Sequence, residues 1–374
     1  MIHIKLIKLI KLIIIIILII IIILIGLIIK QNISRPTEYF TFKDQLNKDN
    51  VFPLSYSIPE EKIMTLNEDI HIKKNDVSPL IPGNTDTYIY DTEESYYKQY
   101  NESKYALTTK KRGWDCLRHY EILASNCIPL FKNLNNCPEN ILVNFPKKLL
   151  IKIFNEKDTI SEEQYIKYVK YLHNYTKTKL TCKASANYVL KKIMFNNKKH
   201  SKILMINNNL IQRSRWDNYT QLLLTIGLRK VLHNNFIEYP KNYMVYKNHT
   251  SKNDYGKGFT YGNILDNINL NRNNIDKRIK NKEFDYIIYG LMGADEGNIG
   301  DIRQDCPLWK EVSSNYNKNN IIFLYGGDNA HCKNNKEHHL KHDRAKDEAK
   351  KTLYQHLSYH SNYGICFVRE LCCL

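Results

Sequence analysis

The apolar and polar positions of this chain divide it sharply. From Leu12 to Ile29 no residue is charged and nearly all are isoleucine or leucine, with Lys11 and Lys30 at the borders. At about 1.5 Å of rise per residue, a helix over this run would span roughly 27 Å, close to the hydrocarbon thickness of a bilayer. It is longer than the apolar part of a cleaved leader and no small-residue cleavage site follows, so it reads as an uncleaved signal-anchor. Lys5, Lys8 and Lys11 precede it, against Lys30 and Arg35 after it. That asymmetry leaves residues 1–11 in the cytosol and the bulk beyond the membrane, a type II layout. Residues 30–50 are polar and read as a stem.

Beyond the stem the periodicity changes twice. From Val51 to Pro82 the pattern is mixed and broken by Pro53, Pro59, Pro79 and Pro82. Thr87–Tyr90 has a short β-like alternation, and Glu93–Tyr100 predicts a tyrosine-rich helix. Tyr105–Thr108 predicts a strand, Asp115–Ser125 a helix and Cys127–Phe131 a second strand. Residues 146–196 read as mostly helical. One helix there opens at Ser161 with Glu163 in its first turn, then repeats apolar residues at near-helical spacing from Tyr165 to Tyr175. From Lys202 onward strands and helices alternate. Lys202–Ile206, Phe236–Tyr239, Phe284–Gly290, Asn320–Tyr325 and Gly364–Val368 are extended, and Trp216–Leu232 and Ile275–Lys282 are helical. Strands that are apolar throughout predict a parallel sheet covered on both faces. The expected fold class is therefore α/β, with two Rossmann-like lobes, residues 51–196 and 200–374, behind the N-terminal anchor.

Charge and cysteines narrow the function. The net charge of +17 favours anionic partners such as nucleotide diphosphates, acidic glycans or lipid head groups. No nucleic-acid module or dense basic helix is present, so nucleic acid is not an expected partner. Nine cysteines lie scattered without a C-x-x-C pair. Cys116, Cys127 and Cys137 are close enough in sequence for one disulfide in a lumenal compartment, and buried free thiols fit equally well. N-x-S/T sequons stand at Asn32, Asn101, Asn174, Asn218 and Asn248. Asn32 is too near the membrane to accept a glycan; the other four are candidate glycosylation sites.

The stretch from Ser103 to Phe131 carries the chemistry. It reads strand, tight basic loop, helix, strand, the pattern of a βαβ unit. Lys110, Lys111 and Arg112 lie in the loop, and Gly113 lets the backbone turn into the helix. Helix N-termini offer free N–H groups and partial positive charge, so cations beside one make a diphosphate cradle. Arg118 and Glu121, three residues apart, share a helix face. Glu121 is roughly 9 Å along the axis from Asp115, a spacing that suits a ribose above a diphosphate. A plain Arg118–Glu121 surface bridge is the competing reading.

This stretch resembles the signature of exostosin-like glycosyltransferases. Ser103, Gly113, Arg118, Glu121, Cys127, Ile128 and Pro129 stand at the matching positions, and Asn126 stands where that family usually has glycine. The run GWDCLRHYEIL, with CP at Cys137 and FPK at Phe145, looks like the form found in large DNA viruses, algae and bacteria. The resemblance implies a GT-B architecture with a cleft between two lobes, a nucleotide-sugar donor, no further cofactor and usually no catalytic metal. It implies donor binding by Ser103, Gly113, Arg118, Glu121 and Pro129, to which the loop reading adds Lys110, Lys111 and Arg112 on the diphosphate, with Arg118 also neutralising the leaving group. The acceptor would be a glycan or glycoprotein.

Other positions are weaker signals. YGKGFTYG, from Tyr255 to Gly262, reads either as a phosphate loop or as a tight turn. Asp328 follows a convincing strand, at the end where open α/β sheets collect ligands, and is a candidate catalytic base. Asp217, Arg369 and Glu370 are minor candidates. His331, Cys332, His338, His339, His342 and Asp343 have zinc-compatible chemistry but no familiar spacing, and read as a solvated loop. The expected function is nucleotide-sugar-dependent glycosyl transfer. The alternative is a non-catalytic, membrane-anchored glycan-binding or structural virion or surface protein with a relict transferase fold.

Overall fold

The computed structural model describes residues 47–66, 72–195, 201–207, 218–250, 254–291, 306–328, 357–358 and 360–371. The Leu12–Ile29 run, Asp217 and the His331–Asp343 cluster lie outside these. Among the described residues no helix is long and apolar enough to cross a membrane, and no group of three or more His, Cys, Asp or Glu is arranged to hold a metal.

The chain forms two parallel sheets. The strands are β1 (Val51–Pro53), β2 (Asn75–Val77), β3 (Ser103–Thr108), β4 (Ile128–Phe131), β5 (Ile203–Ile206), β6 (Phe236–Tyr239), β7 (Tyr286–Leu291), β8 (Ile321–Tyr325) and β9 (Ile365–Val368). The helices are α1 (Glu93–Asn101), α2 (Leu117–Ala124), α3 (Lys147–Glu156), α4 (Glu162–Lys179), α5 (Cys182–Lys192), α6 (Tyr219–Leu232), α7 (Ile275–Lys280) and α8 (Trp309–Asn315). The larger sheet runs β1-β9-β8-β7-β5-β6 and the smaller β2-β3-β4. Within the larger one, β6-β5-β7-β8-β9 is a doubly wound order, to which β1 adds an edge.

Alternation explains the larger sheet's cover. Ile203, Met205, Ile288, Ile322, Leu324 and Phe367 face α5 and α6 through Val189, Leu224 and Leu228. Leu204, Ile206, Ile287, Tyr289, Phe323 and Val368 face the other side, where Ile275 and Ile279 of α7 and Val312 of α8 meet them. With both faces covered, the strands are apolar almost throughout, Glu238 of β6 being the charged exception.

Two short strands escape the sequence pattern. β1 ends in Pro53, whose missing donor is tolerated because β1 is an edge. β2 reads Asn-Asp-Val and is mostly exposed. Conversely, the β-like run Thr87–Tyr90 is no strand. Thr85–Thr87 make a 3₁₀ turn, capped where the Asn84 side chain accepts from the Asp86 amide and tied by the Thr87 hydroxyl donating to the Asn84 carbonyl.

α6 joins the lobes. Leu224, Leu228 and Leu232 face the larger sheet, and Leu222, Leu223 and Ile226 pack with Tyr120, Phe131 and Leu172 of the smaller lobe. A helix apolar on nearly all sides belongs in an interior. Gly227 lets it approach α5, because an added Cβ would clash with the Cys182 carbonyl. Gly→Ala within a helix is ordinarily stabilising by up to about 1 kcal/mol. Here Gly227→Ala should instead destabilise by about 1–3 kcal/mol through overpacking, measured as a lower urea midpoint with an unchanged slope.

Candidate functional site

The expected unit is formed: β3 and β4 pair in parallel, with Tyr105 opposite Ile128 and Thr108 opposite Phe131, and α2 connects them. The loop before α2 is braced by His119. Its Nε2 lies 2.9 Å from the Trp114 carbonyl and its Nδ1 lies 2.9 Å from the Thr108 hydroxyl. A carbonyl only accepts, so Nε2 carries the proton and Nδ1 accepts from Thr108. Burial pushes His119 down to about 3, which keeps the ring neutral. After α2 the chain turns through Asn126 at φ 55°, the left-handed conformation that glycine would supply. The Asn126 amide donates to the Thr65 carbonyl at 3.1 Å.

The proposed donor residues separate into four groups, the last being Arg118 with Glu121. Ser103 and Pro129 are internal: the Ser103 hydroxyl donates to the Gln99 carbonyl at 2.7 Å, and Pro129 lies opposite Ala106 in the edge strand β4. Both support the unit rather than face a ligand. Lys111 and Arg112 are exposed, and the Lys110 ammonium sits 5.1 Å from the centre of the Trp114 ring. Gly113 and Asp115 turn inward, against the larger lobe.

That inward turn overturns one expectation. The helix starts at Leu117 behind its N-cap Cys116, later than Asp115, and the Asp115 amide before it is not open for a diphosphate. Glu370, just past β9, places Oε1 2.8 Å from the Asp115 amide. Gly113 is required beneath it, since an added Cβ would clash with that carboxylate. Arg369, fully buried, secures the contact. Its Nη1 donates to the Asp115 carbonyl at 2.5 Å and to Glu370 Oε1 at 3.1 Å. Its Nε donates to the Gly326 carbonyl at 3.0 Å, and Nη2 donates to the Gly327 carbonyl at 2.8 Å and to Asp328 Oδ1. The Tyr56 ring covers it at 4.4 Å. The Asp115 carboxylate accepts from the Tyr56 amide at 2.6 Å and the Tyr120 hydroxyl at 2.9 Å. Asp328, 44% exposed at its side chain, stands at the carboxyl end of β8, held from behind by Arg369.

Arg118 and Glu121 do share a face, and they do not simply pair with each other. Glu121 accepts from the Tyr96 hydroxyl at 2.6 Å and from the Thr260 hydroxyl. Thr260 comes from the YGKGFTYG segment, which is a tight turn with Gly256, Lys257 and Gly258 all at positive φ. It reaches the smaller lobe again where the Lys257 ammonium meets Asp91 at 2.6 Å. Arg118, 9% exposed, donates through Nη2 to the Tyr88 hydroxyl at 2.7 Å, but its Nε and Nη1 are buried without a hydrogen-bond partner.

Of the sequons, Asn174 and Asn248 are exposed and Asn101 is half-buried at the end of α1. Asn218 is a correction: it is buried as the cap of α6, its side chain accepting from the Gln221 amide, and has no room for a glycan. Cys116, Cys127 and Cys137 are free thiols. No family model, curated protein or solved structure matches this chain.

Two carboxyls of the cluster are shifted. Burial raises Asp115 to about 6 and Glu370 to about 7, with Arg369 opposing in both. A carboxyl raised on folding binds its proton more tightly in the native state. Its contribution is therefore full below the unfolded value and fades as pH rises through the folded one. Glu370→Gln removes that dependence at one position. The stability of the native chain relative to this variant should fall by on the order of 3 kcal/mol between pH 4 and 8, read from urea unfolding across that range.

Proposed function

We propose that this chain is a nucleotide-sugar-dependent glycosyltransferase of the exostosin-like, GT-B-type kind, anchored as a type II membrane protein and acting on a glycan or glycoprotein. The observation that carries the reading is Arg118, whose Nε and Nη1 are buried without a partner beside Glu121. Burying a charged donor unpaired is costly, and an anion repays that cost. A departing nucleoside diphosphate is the anion that such a reaction generates, and preoriented cations are the means of stabilising it.

The two hydroxyls on Glu121 have a matching sense. Tyr96 and Thr260 donate to it as a ribose diol would, so ribose binding means exchanging one hydroxyl donor for another. Lys111 and Arg112 are exposed enough to join the phosphates as side chains, while Glu370 holds the Asp115 amide. Asp328, at the carboxyl end of β8 and partly exposed, is the proposed base towards the acceptor.

The non-catalytic reading rests on a specific fact. Both Glu121 oxygens and the Asp115 amide already have internal partners, as in a site that no longer turns over. The experiment is a thermal-shift panel of nucleotide sugars run beside a transfer assay on the full chain. Transfer supports the enzyme, binding without transfer supports a binding relict, and no shift with any nucleotide sugar rejects both and leaves the structural protein.

Arg118→Leu should lower kcat/KM for transfer at least about 100-fold. Its unliganded melting temperature should hold or rise, because two orphaned donors disappear. Transfer at the native rate by this variant or by Glu121→Ala would show the site to be misassigned.

A further inference from the structure

One contact across the lobes has a carboxylate of one seated against the loop backbone of the other. Between β3 and α2 the backbone turns through Gly113, Trp114 and Asp115, ahead of Cys116, the N-cap of α2. The Asp115 amide points at Glu370 Oε1 at 2.8 Å, and the Trp114 amide also favours the ionised form of that carboxyl. Gly113 leaves the cradle open, since a Cβ there would occupy the carboxylate's place. Glu370 is only 2% exposed, and its Oε2 is buried with no hydrogen-bond partner.

That last fact separates a plug from a permanent brace. A carboxylate built solely to hold two elements together has both oxygens satisfied, as Asp115 does here, with donors from Tyr56 and Tyr120. Glu370 uses one oxygen and leaves the other desolvated. A phosphate in the same cradle presents more oxygens than a carboxylate and has the exposed Lys111 and Arg112 on the same loop. Glu370 lies two residues beyond the end of β9, so its side chain takes no part in the strand pairing.

We propose that Glu370 is an internal pseudo-ligand: its carboxylate occupies a phosphate-binding cradle at Gly113–Asp115 and must leave it before a phosphate can bind. The inference deepens the transferase reading, on which it rests for the natural ligand, by making the free enzyme self-blocked at the phosphate end of its site. It predicts that removing the carboxylate uncovers binding rather than destroying it.

The test is calorimetric titration of inorganic pyrophosphate into the full-length native chain, Glu370→Ala, Glu370→Gln and Gly113→Ala/Glu370→Ala, with melting curves to verify folding. Glu370→Ala should bind pyrophosphate at least tenfold more tightly than the native chain. The double variant should lose that gain, because the new Cβ fills the cradle. Glu370→Gln keeps the packing and removes the charge, so it covers the case in which the alanine variant does not fold, and it should also bind more tightly than the native chain. An unchanged affinity in either folded variant overturns the proposal, as does a gain that survives in the double variant.

Sugar transfer separates this idea from the one beneath it. A Glu370 variant that gains pyrophosphate affinity while no form transfers sugar keeps the plug and rejects the transferase. A native chain that transfers as fast as Glu370→Ala keeps the transferase and rejects the plug.

Discussion

One guanidinium determines how the site is assembled. Arg369 uses all its donors within a few ångströms: Nε on the Gly326 carbonyl, Nη1 on the Asp115 carbonyl and Glu370, Nη2 on the Gly327 carbonyl and Asp328. Those partners come from the end of β8, the end of β9 and the loop into α2. The position of the smaller lobe's chemical loop over the larger sheet is thus set by a single buried cation. Such a group is tolerated only because it is fully paired, and breaking a buried pair of this kind commonly costs about 3–5 kcal/mol. The Tyr56 ring completes the enclosure, and its backbone amide ties the segment leaving β1 to Asp115.

A second buried charge holds the opposite wall. Glu238, at the end of β6, accepts from Arg229 at 2.7 Å, Arg272 at 2.5 Å and the Tyr246 hydroxyl at 2.6 Å. Arg272 and Tyr246 flank the excursion that carries the 254–262 turn, so this knot fixes the base of the loop that brings Thr260 to Glu121. In both places charge is buried where it positions a loop, while the apolar residues sustain the sheets.

What could be read from the sequence follows from the range of each interaction. The strands β7, β8 and β9 announce themselves as continuous apolar runs, and α4 begins after Ser161 as its capping chemistry requires. The βαβ layout and the shared face of Arg118 and Glu121 depend on spacing alone, and they hold. β1 and β2 are three residues each, with Pro53 in one and two polar residues in the other, too short for any period to show. The cluster of Tyr56, Asp115 and Glu370 joins positions some 255 residues apart, which no local pattern encodes. The polar pair directly after an apolar strand in FVREL was its only trace. Asn218 carried two meanings, sequon and helix cap, and its place before α6 decides for the cap.

The burial of α6 has a consequence for motion. The same helix lends one face to the larger sheet and another to the core of the smaller lobe. Enzymes with two lobes commonly open and shut by rotating them as rigid bodies about a thin connection. Here such a rotation would pull Leu222, Leu223 and Ile226 out of an apolar interior into water. The two sheets therefore share one core, and a change of shape at the site falls to segments outside it.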